Sequence, residues 1–110
     1  MQFKDSRILV VDDEEFCISA MKSYLFALGI PVESQVDFCI NGQEAIDQIK
    51  NAYKFGISYK IILTDFSMPV KNGIEATRDI RKFFGSVNVL RENQPKIIGI
   101  TGHVLDDFTE

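Results

Sequence analysis

The chain has 110 residues, of which 45% are hydrophobic, and a formal net charge of −4. That size and apolar share fit one globular domain, residues 1–110, and argue against disorder. The acidic balance disfavours direct nucleic-acid binding, which needs clustered Lys and Arg. No apolar run nears the length of a membrane helix, and the first run ends at once in Asp12-Asp13 rather than a signal-peptide pattern. No direct membrane contact is therefore expected. Cys17 and Cys39 make no CxxC or metal-like spacing and read as reduced core residues of a cytoplasmic protein.

Met1 to Ser6 is a short lead-in. Arg7 to Val11 reads as a first strand, continuously apolar and so central in a parallel sheet. Glu14 to Leu28 follows as a helix whose buried stripe is Cys17, Met21, Tyr24, Leu25 and Leu28; Gly29 and Pro31 end it. Val32 to Cys39 is expected as a second strand, and its alternation suggests a position at or near the sheet edge. Asn41 caps the next helix, with Glu44 reaching back as a capping box. That helix turns Ala45, Ile46, Ile49 and Tyr53 inward. Phe55, Ile57 and Tyr59 are expected to cover the far end of the core.

Ile61-Ile62-Leu63-Thr64 is a brief apolar run that delivers Asp65 at a strand end. A third helix follows, with Ile74, Thr77, Ile80 and Phe84 inward and Glu75-Arg78 and Asp79-Lys82 as surface pairs. Ser86 to Pro95 reads as an irregular insertion. Lys96 to Ile100 is a fourth strand leading to Thr101-Gly102-His103, and Val104 to Glu110 begins another helix. Strand alternating with helix gives an α/β doubly wound fold with a parallel sheet. A flavodoxin-like order, 2-1-3-4, sets strands one and three side by side.

That adjacency would gather Asp12, Asp13 and Asp65 at one rim. Three clustered carboxylates repel and raise one another's pKa, so they invite a hard divalent cation. A carboxylate beside such an ion can also attack phosphorus and form an acyl phosphate. Helix capping would explain Asp13 alone; it does not explain three acids at one edge.

The ordered set Val10-Val11-Asp12-Asp13-Glu14, Thr64-Asp65-Phe66-Ser67-Met68-Pro69, Asn72-Gly73 and Ile100-Thr101-Gly102 resembles the receiver domains of two-component response regulators and, most of all, of hybrid histidine kinases. The resemblance runs over essentially the whole chain. It implies that Asp65 is the phospho-acceptor, taking a phosphoryl group from a phosphohistidine on a histidine kinase or histidine phosphotransfer protein. It implies that magnesium, with manganese as an alternative, is bound by Asp13, Asp65 and the backbone carbonyl of Ser67, and by Asp12 through a water. Thr101 matches the switch hydroxyl, and Gly102 would bring its backbone N–H to the phosphoryl group. His103 reads as an ordinary surface residue. The family's fifth-strand lysine, its switch aromatic and its final helix have no counterpart, so the receiver is expected to be incomplete at its C-terminal side.

The leading expectation is thus a signalling switch that catalyses only its own phosphorylation. A pseudo-receiver interaction module and a phosphatase with an aspartyl nucleophile are the alternatives. Ser67 disfavours the phosphatase, which commonly needs a second acid at that position. The fourth strand, with Ile97, Ile98 and Ile100 and only Lys96 for protection, is expected to be an edge prone to pair with a second copy.

Overall fold

The structure, a computed structural model, describes residues 6–65 and 70–100. Strand β1 (Ser6–Val11) leads to helix α1 (Glu15–Ala27), a short helix α2 (Val32–Gln35) and β2 (Val36–Cys39). Helix α3 (Gly42–Lys54), β3 (Ser58–Thr64), α4 (Gly73–Ser86), a 3-10 turn (Arg91–Asn93) and β4 (Lys96–Gly99) complete the order. The sheet runs β2-β1-β3-β4, all parallel, as the alternating pattern implied. Such a sheet buries both faces, and Leu9, Val10 and Val11 in β1 are almost fully buried.

The two faces are unequal. Under α3 and α4, Leu9, Val11, Ile62 and Ile97 of the sheet meet Ile46, Ile49, Ile80 and Phe84. Under α1, among the described residues, the buried cluster is Val10, Leu25 and Val36, with residues such as Met21, Phe38 and Leu63 packed at its margin. The stripe expected on α1 is therefore too wide. Cys17, Tyr24 and Leu28 are exposed, and Tyr24 and Leu28 keep 63% and 59% of their surface. At about 100° per residue all three lie to one side of Leu25, whereas Ile18 and Met21 stay close to its line.

Three further expectations change for local reasons. Val32–Gln35 is helical rather than strand: Pro31 is its N-cap, and the Pro31 carbonyl accepts from the N–H groups of Ser34 (3.2 Å) and Gln35 (2.9 Å). The strand shrinks to Val36–Cys39, still at the edge. Phe55 is 69% exposed instead of covering the core. Gly56, at φ 73°, donates to Tyr53 (3.1 Å) while Ile57 donates to Ala52 (2.9 Å), a helix ending that turns Ile57 inward and leaves Phe55 outside. The Ser86–Pro95 stretch, expected to be irregular throughout, contains a 3-10 turn at Arg91–Asn93 and is tied to the fold. Val87 and Val89 pack on the main core, and Gln94 donates to the Val89 carbonyl (2.8 Å) while accepting from Arg81 (2.9 Å).

Both capped helices begin with Asn-Gly-X-Glu. Asn41 accepts from Glu44 N (2.8 Å), but Glu44 reaches back to Ile40 N (3.1 Å), one residue beyond the expected box. The closed box is at α4, where Asn72 and Glu75 exchange bonds of 2.9 and 3.1 Å. The surface pairs expected on α4 are replaced: Glu75 serves this cap, and Asp79 pairs with Lys71.

A polar latch ties β2, β1 and β3 together. Arg7 grips Asp37 with two bonds of 3.0 and 2.8 Å and also donates to the Ser34 carbonyl (2.6 Å). Tyr59 donates its hydroxyl to Asp37 and accepts from Gln48 (3.0 Å). Burial alone would raise the Asp37 pKa, but the hydrogen bonds from Arg7 and Tyr59 and the Arg7 charge outweigh it, and the value falls below 3.8. A depressed carboxylate pKa stabilises the fold above the unfolded value and loses that contribution as pH falls through the folded one. Asp37→Asn should therefore cost about 1.5–3 kcal/mol at neutral pH, the scale of bonds to a charged group. The gap from wild type should close as pH drops below 3.8. Urea melts at neutral pH and near pH 3 check this; a gap that does not change with pH would mean that Asp37 is not the titrating partner.

Candidate functional site

The acids gather because the strands that carry them are neighbours in register. Val11 pairs with Thr64, so the residues after each strand emerge together. Asp65 N donates to the Val11 carbonyl and Asp12 N to the Cys39 carbonyl, both at 3.0 Å, which extends the ladders up to the rim. Ile100 N donates to the Thr64 carbonyl (2.9 Å) on the other side. Fixed backbones thus set the three carboxylates in place. One oxygen from each of Asp12, Asp13 and Asp65 lies within 4.8 Å of the others.

The electrostatics follow. Asp12 is buried, with only 3% of its surface exposed, whereas Asp13 is exposed and Asp65 half-buried. Burial pushes the Asp12 pKa up, and the charges of Asp65 and Asp13 add to it. The Glu14 N–H, which Asp12 Oδ1 accepts at 2.9 Å, and the Cys17 thiol pull against that rise. Cys17, expected in the core, instead stands exposed beside the acids. Cys39 is the buried one, and burial foremost, with the nearby Glu44, Asp37 and Asp47 charges, pushes its thiol up to about 12. It stays a neutral core residue.

An all-oxygen set suits magnesium. Two ligands about 2.1 Å from an ion and on opposite sides of it stand ~4.2 Å apart, so the observed span admits one ion with little movement. The repulsion from Asp65 and Asp13, which adds to burial in raising the Asp12 pKa, is what such an ion relieves.

Ser67, Thr101, Gly102 and His103 lie outside the described residues, as do Phe66, Met68, Pro69 and the stretch 104–110. Beyond the rim acids, the structure adds an anchor that the sequence reading missed. The Lys71 carbonyl accepts from Gly42 N at 3.0 Å, and a Cβ on Gly42 would stand 2.3 Å from that oxygen. Lys71 is thereby held against the start of α3. The signal was present in the repeated Asn-Gly, where Gly42 reads equally well as a plain turn residue. Among the described residues no helix is long and apolar enough to cross a membrane.

Comparison with known proteins agrees with this architecture. The response regulator receiver domain family matches residues 8–109. Hybrid signal transduction histidine kinase G of Dictyostelium discoideum is 31% identical over 94% of this chain, which spans only 3% of that protein. The receiver domain of the histidine kinase CKI1 from Arabidopsis thaliana, in a crystal structure with Mg2+ and BeF3−, superposes with a TM-score of 0.70. It is 29% identical, and the match covers 86% of this chain and 64% of that one. The receiver domain of Ssk1 from Saccharomyces cerevisiae, co-crystallised with the histidine phosphotransfer protein Ypd1, superposes with a TM-score of 0.65 at 25% identity, covering 90% of this chain and 65% of that one. The 2-1-3-4 parallel sheet, the acids on its rim and the match over residues 8–109 together place this chain in the response regulator receiver domain family.

Proposed function

We propose that this chain is a phosphorelay receiver that accepts a phosphoryl group onto Asp65 from a phosphohistidine of a histidine kinase or histidine phosphotransfer protein. The observation that carries the reading is the convergence of Asp12, Asp13 and Asp65 within 4.8 Å. The CKI1 and Ssk1 receivers support it by analogy, since one is complexed with Mg2+ and BeF3− and the other with Ypd1.

A carboxylate oxygen of Asp65 attacks phosphorus in line with the donor nitrogen. The P–O bond forms as the P–N bond breaks, and the imidazole, carrying a proton on its other ring nitrogen, leaves as a neutral ring. Asp13, Asp65 and the Ser67 carbonyl would hold magnesium, or manganese in its place, with Asp12 acting through a water. The bound ion supplies charge neutralisation at the phosphoryl oxygens. Thr101 and the Gly102 N–H would then hydrogen-bond those oxygens. The site performs its own phosphorylation and turns over no external metabolite. A cytoplasmic setting, where a kinase or phosphotransfer partner can reach the rim, belongs to the same reading.

Magnesium titration tests the site. Binding should weaken as pH falls, and proton competition should begin above 3.8, because the Asp12 pKa is raised. Asp13→Ala should weaken binding by more than about tenfold, the scale of losing even an outer partner of a metal ligand. Undiminished affinity in Asp13→Ala would remove the proposed ligand set. Absence of carboxylate-dependent binding would leave an interaction module without phosphotransfer. Among the described residues β4 pairs only with β3, so its outer edge remains a proposed route to self-association. Concentration-dependent sedimentation would reveal it, and a monomer at every concentration would refute it.

A further inference from the structure

Away from the rim, α3 and α4 lie side by side and enclose a groove of about 430 Å³. Ile46 and Phe83 give it apolar surface, and Lys50, Lys71 and Lys82 give it charge. Among the described residues the one carboxylate lining it is Asp79, which Lys71 engages. Three ammonium groups against one carboxylate make this groove positive on a chain whose net charge is −4. Lys50 Nζ lies 5.9 Å from the centre of the Phe83 ring, so cation and apolar surface adjoin.

We propose that this groove docks an acidic segment of a partner protein, with glutamate or aspartate side chains on the lysines and an apolar side chain against Ile46 and Phe83. The groove's dimensions favour a peptide over a single small anion. From Gln43 to Lys50 along α3, two turns of helix, is about 10 Å, the span of roughly three extended residues. The lysines are spread along that length and across both walls rather than focused on one point. A lone phosphate could engage one end only and would leave the apolar surface unused. Lys71 stands beside the start of α3, where its carbonyl accepts from Gly42 N, but the docking does not depend on phosphoryl chemistry at Asp65.

The test uses the 15N-labelled full chain and a capped hexapeptide of glutamates with one central phenylalanine. Its controls are the same peptide with glutamine for glutamate, and tripolyphosphate. At low salt the acidic peptide should shift the amide signals of Ile46, Lys50, Lys82 and Phe83. The glutamine peptide should not. Lys50→Gln with Lys82→Gln should weaken binding ~10-fold at an unchanged melting temperature, since both side chains are exposed. Shifts centred on another surface, equal binding of the glutamine peptide, or unchanged affinity in the double variant would each overturn the proposal. So would tripolyphosphate binding the groove more tightly than the peptide. The glutamine peptide and tripolyphosphate arms need no variant and keep the test decisive if the substituted chain fails to fold.

Discussion

Asp65→Asn should abolish phosphorylation outright. With magnesium and acetyl phosphate, the unaltered chain should gain one phosphoryl group, and borohydride trapping followed by mass spectrometry should locate it at residue 65. Asparagine keeps the shape of the side chain but removes the anionic oxygen that attacks phosphorus and one negative charge facing the ion. The loss should not reflect unfolding. Asp65 is half-buried, and its charge is one of the causes that raise the Asp12 pKa, so neutralising it relieves repulsion at the rim. In metal-free buffer the variant should melt no lower than the wild type. A phosphoryl group still acquired by Asp65→Asn would place the acceptor elsewhere and end the assignment.

Gly42→Ala is the largest expected loss of stability. The added Cβ would meet the Lys71 carbonyl oxygen at 2.3 Å, Lys71 Cβ at 2.9 Å and Ala76 Cβ at 3.0 Å. The first neighbour is backbone and is itself held by the bond from Gly42 N, so it cannot swing aside as a flexible side chain would. Overpacking of this kind costs ~1–3 kcal/mol, and rigid backbone argues for the upper end. Alanine regains at most about 1 kcal/mol of helix propensity, and less at the first helical position. The clash wins. A drop in melting temperature of roughly 10–20 °C is expected for a domain of this size. A variant melting at or above wild type would mean that the segment around Lys71 yields freely and is not anchored on α3.

The parts of this architecture that the sequence made legible are those set by short-range pattern. The apolar runs ending in Asp12 and Asp65 announced two buried parallel strands and their shared rim, because a brief hydrophobic run followed by acids has few other homes. Asn41 advertised a helix start through a hydrogen bond to the residue three positions on, whereas the same role of Asn72 came only with the structure. What escaped was tertiary. Helical spacing could not tell that the face under α1 buries only a narrow line, so Cys17, Tyr24 and Leu28 were assigned inward when neighbouring elements leave them outside. Val32 and Val36 stand four apart and fit a helix turn as well as a strand; Pro31 decided in favour of the turn. Asp37 looked like the exposed side of an alternating strand, yet Arg7 and Tyr59 reach it across distances in sequence that no local pattern encodes.

The parallel sheet also bears on the order in which the chain assembles. With no hairpin among its described strands, each of their pairings must close a long loop. Joining Ile8 to Val36 closes about 28 residues and joining Ile8 to Ile61 about 53, an entropic difference of only ~0.6 kcal/mol. The longer closure gains more: β1 and β3 share six paired positions and β1 and β2 four. Leu9 and Ile62, paired across that seam and almost fully buried, should therefore belong to the folding nucleus. Truncating either should slow refolding in stopped-flow measurements. Leu25→Ala, on the thinner face, should chiefly hasten unfolding.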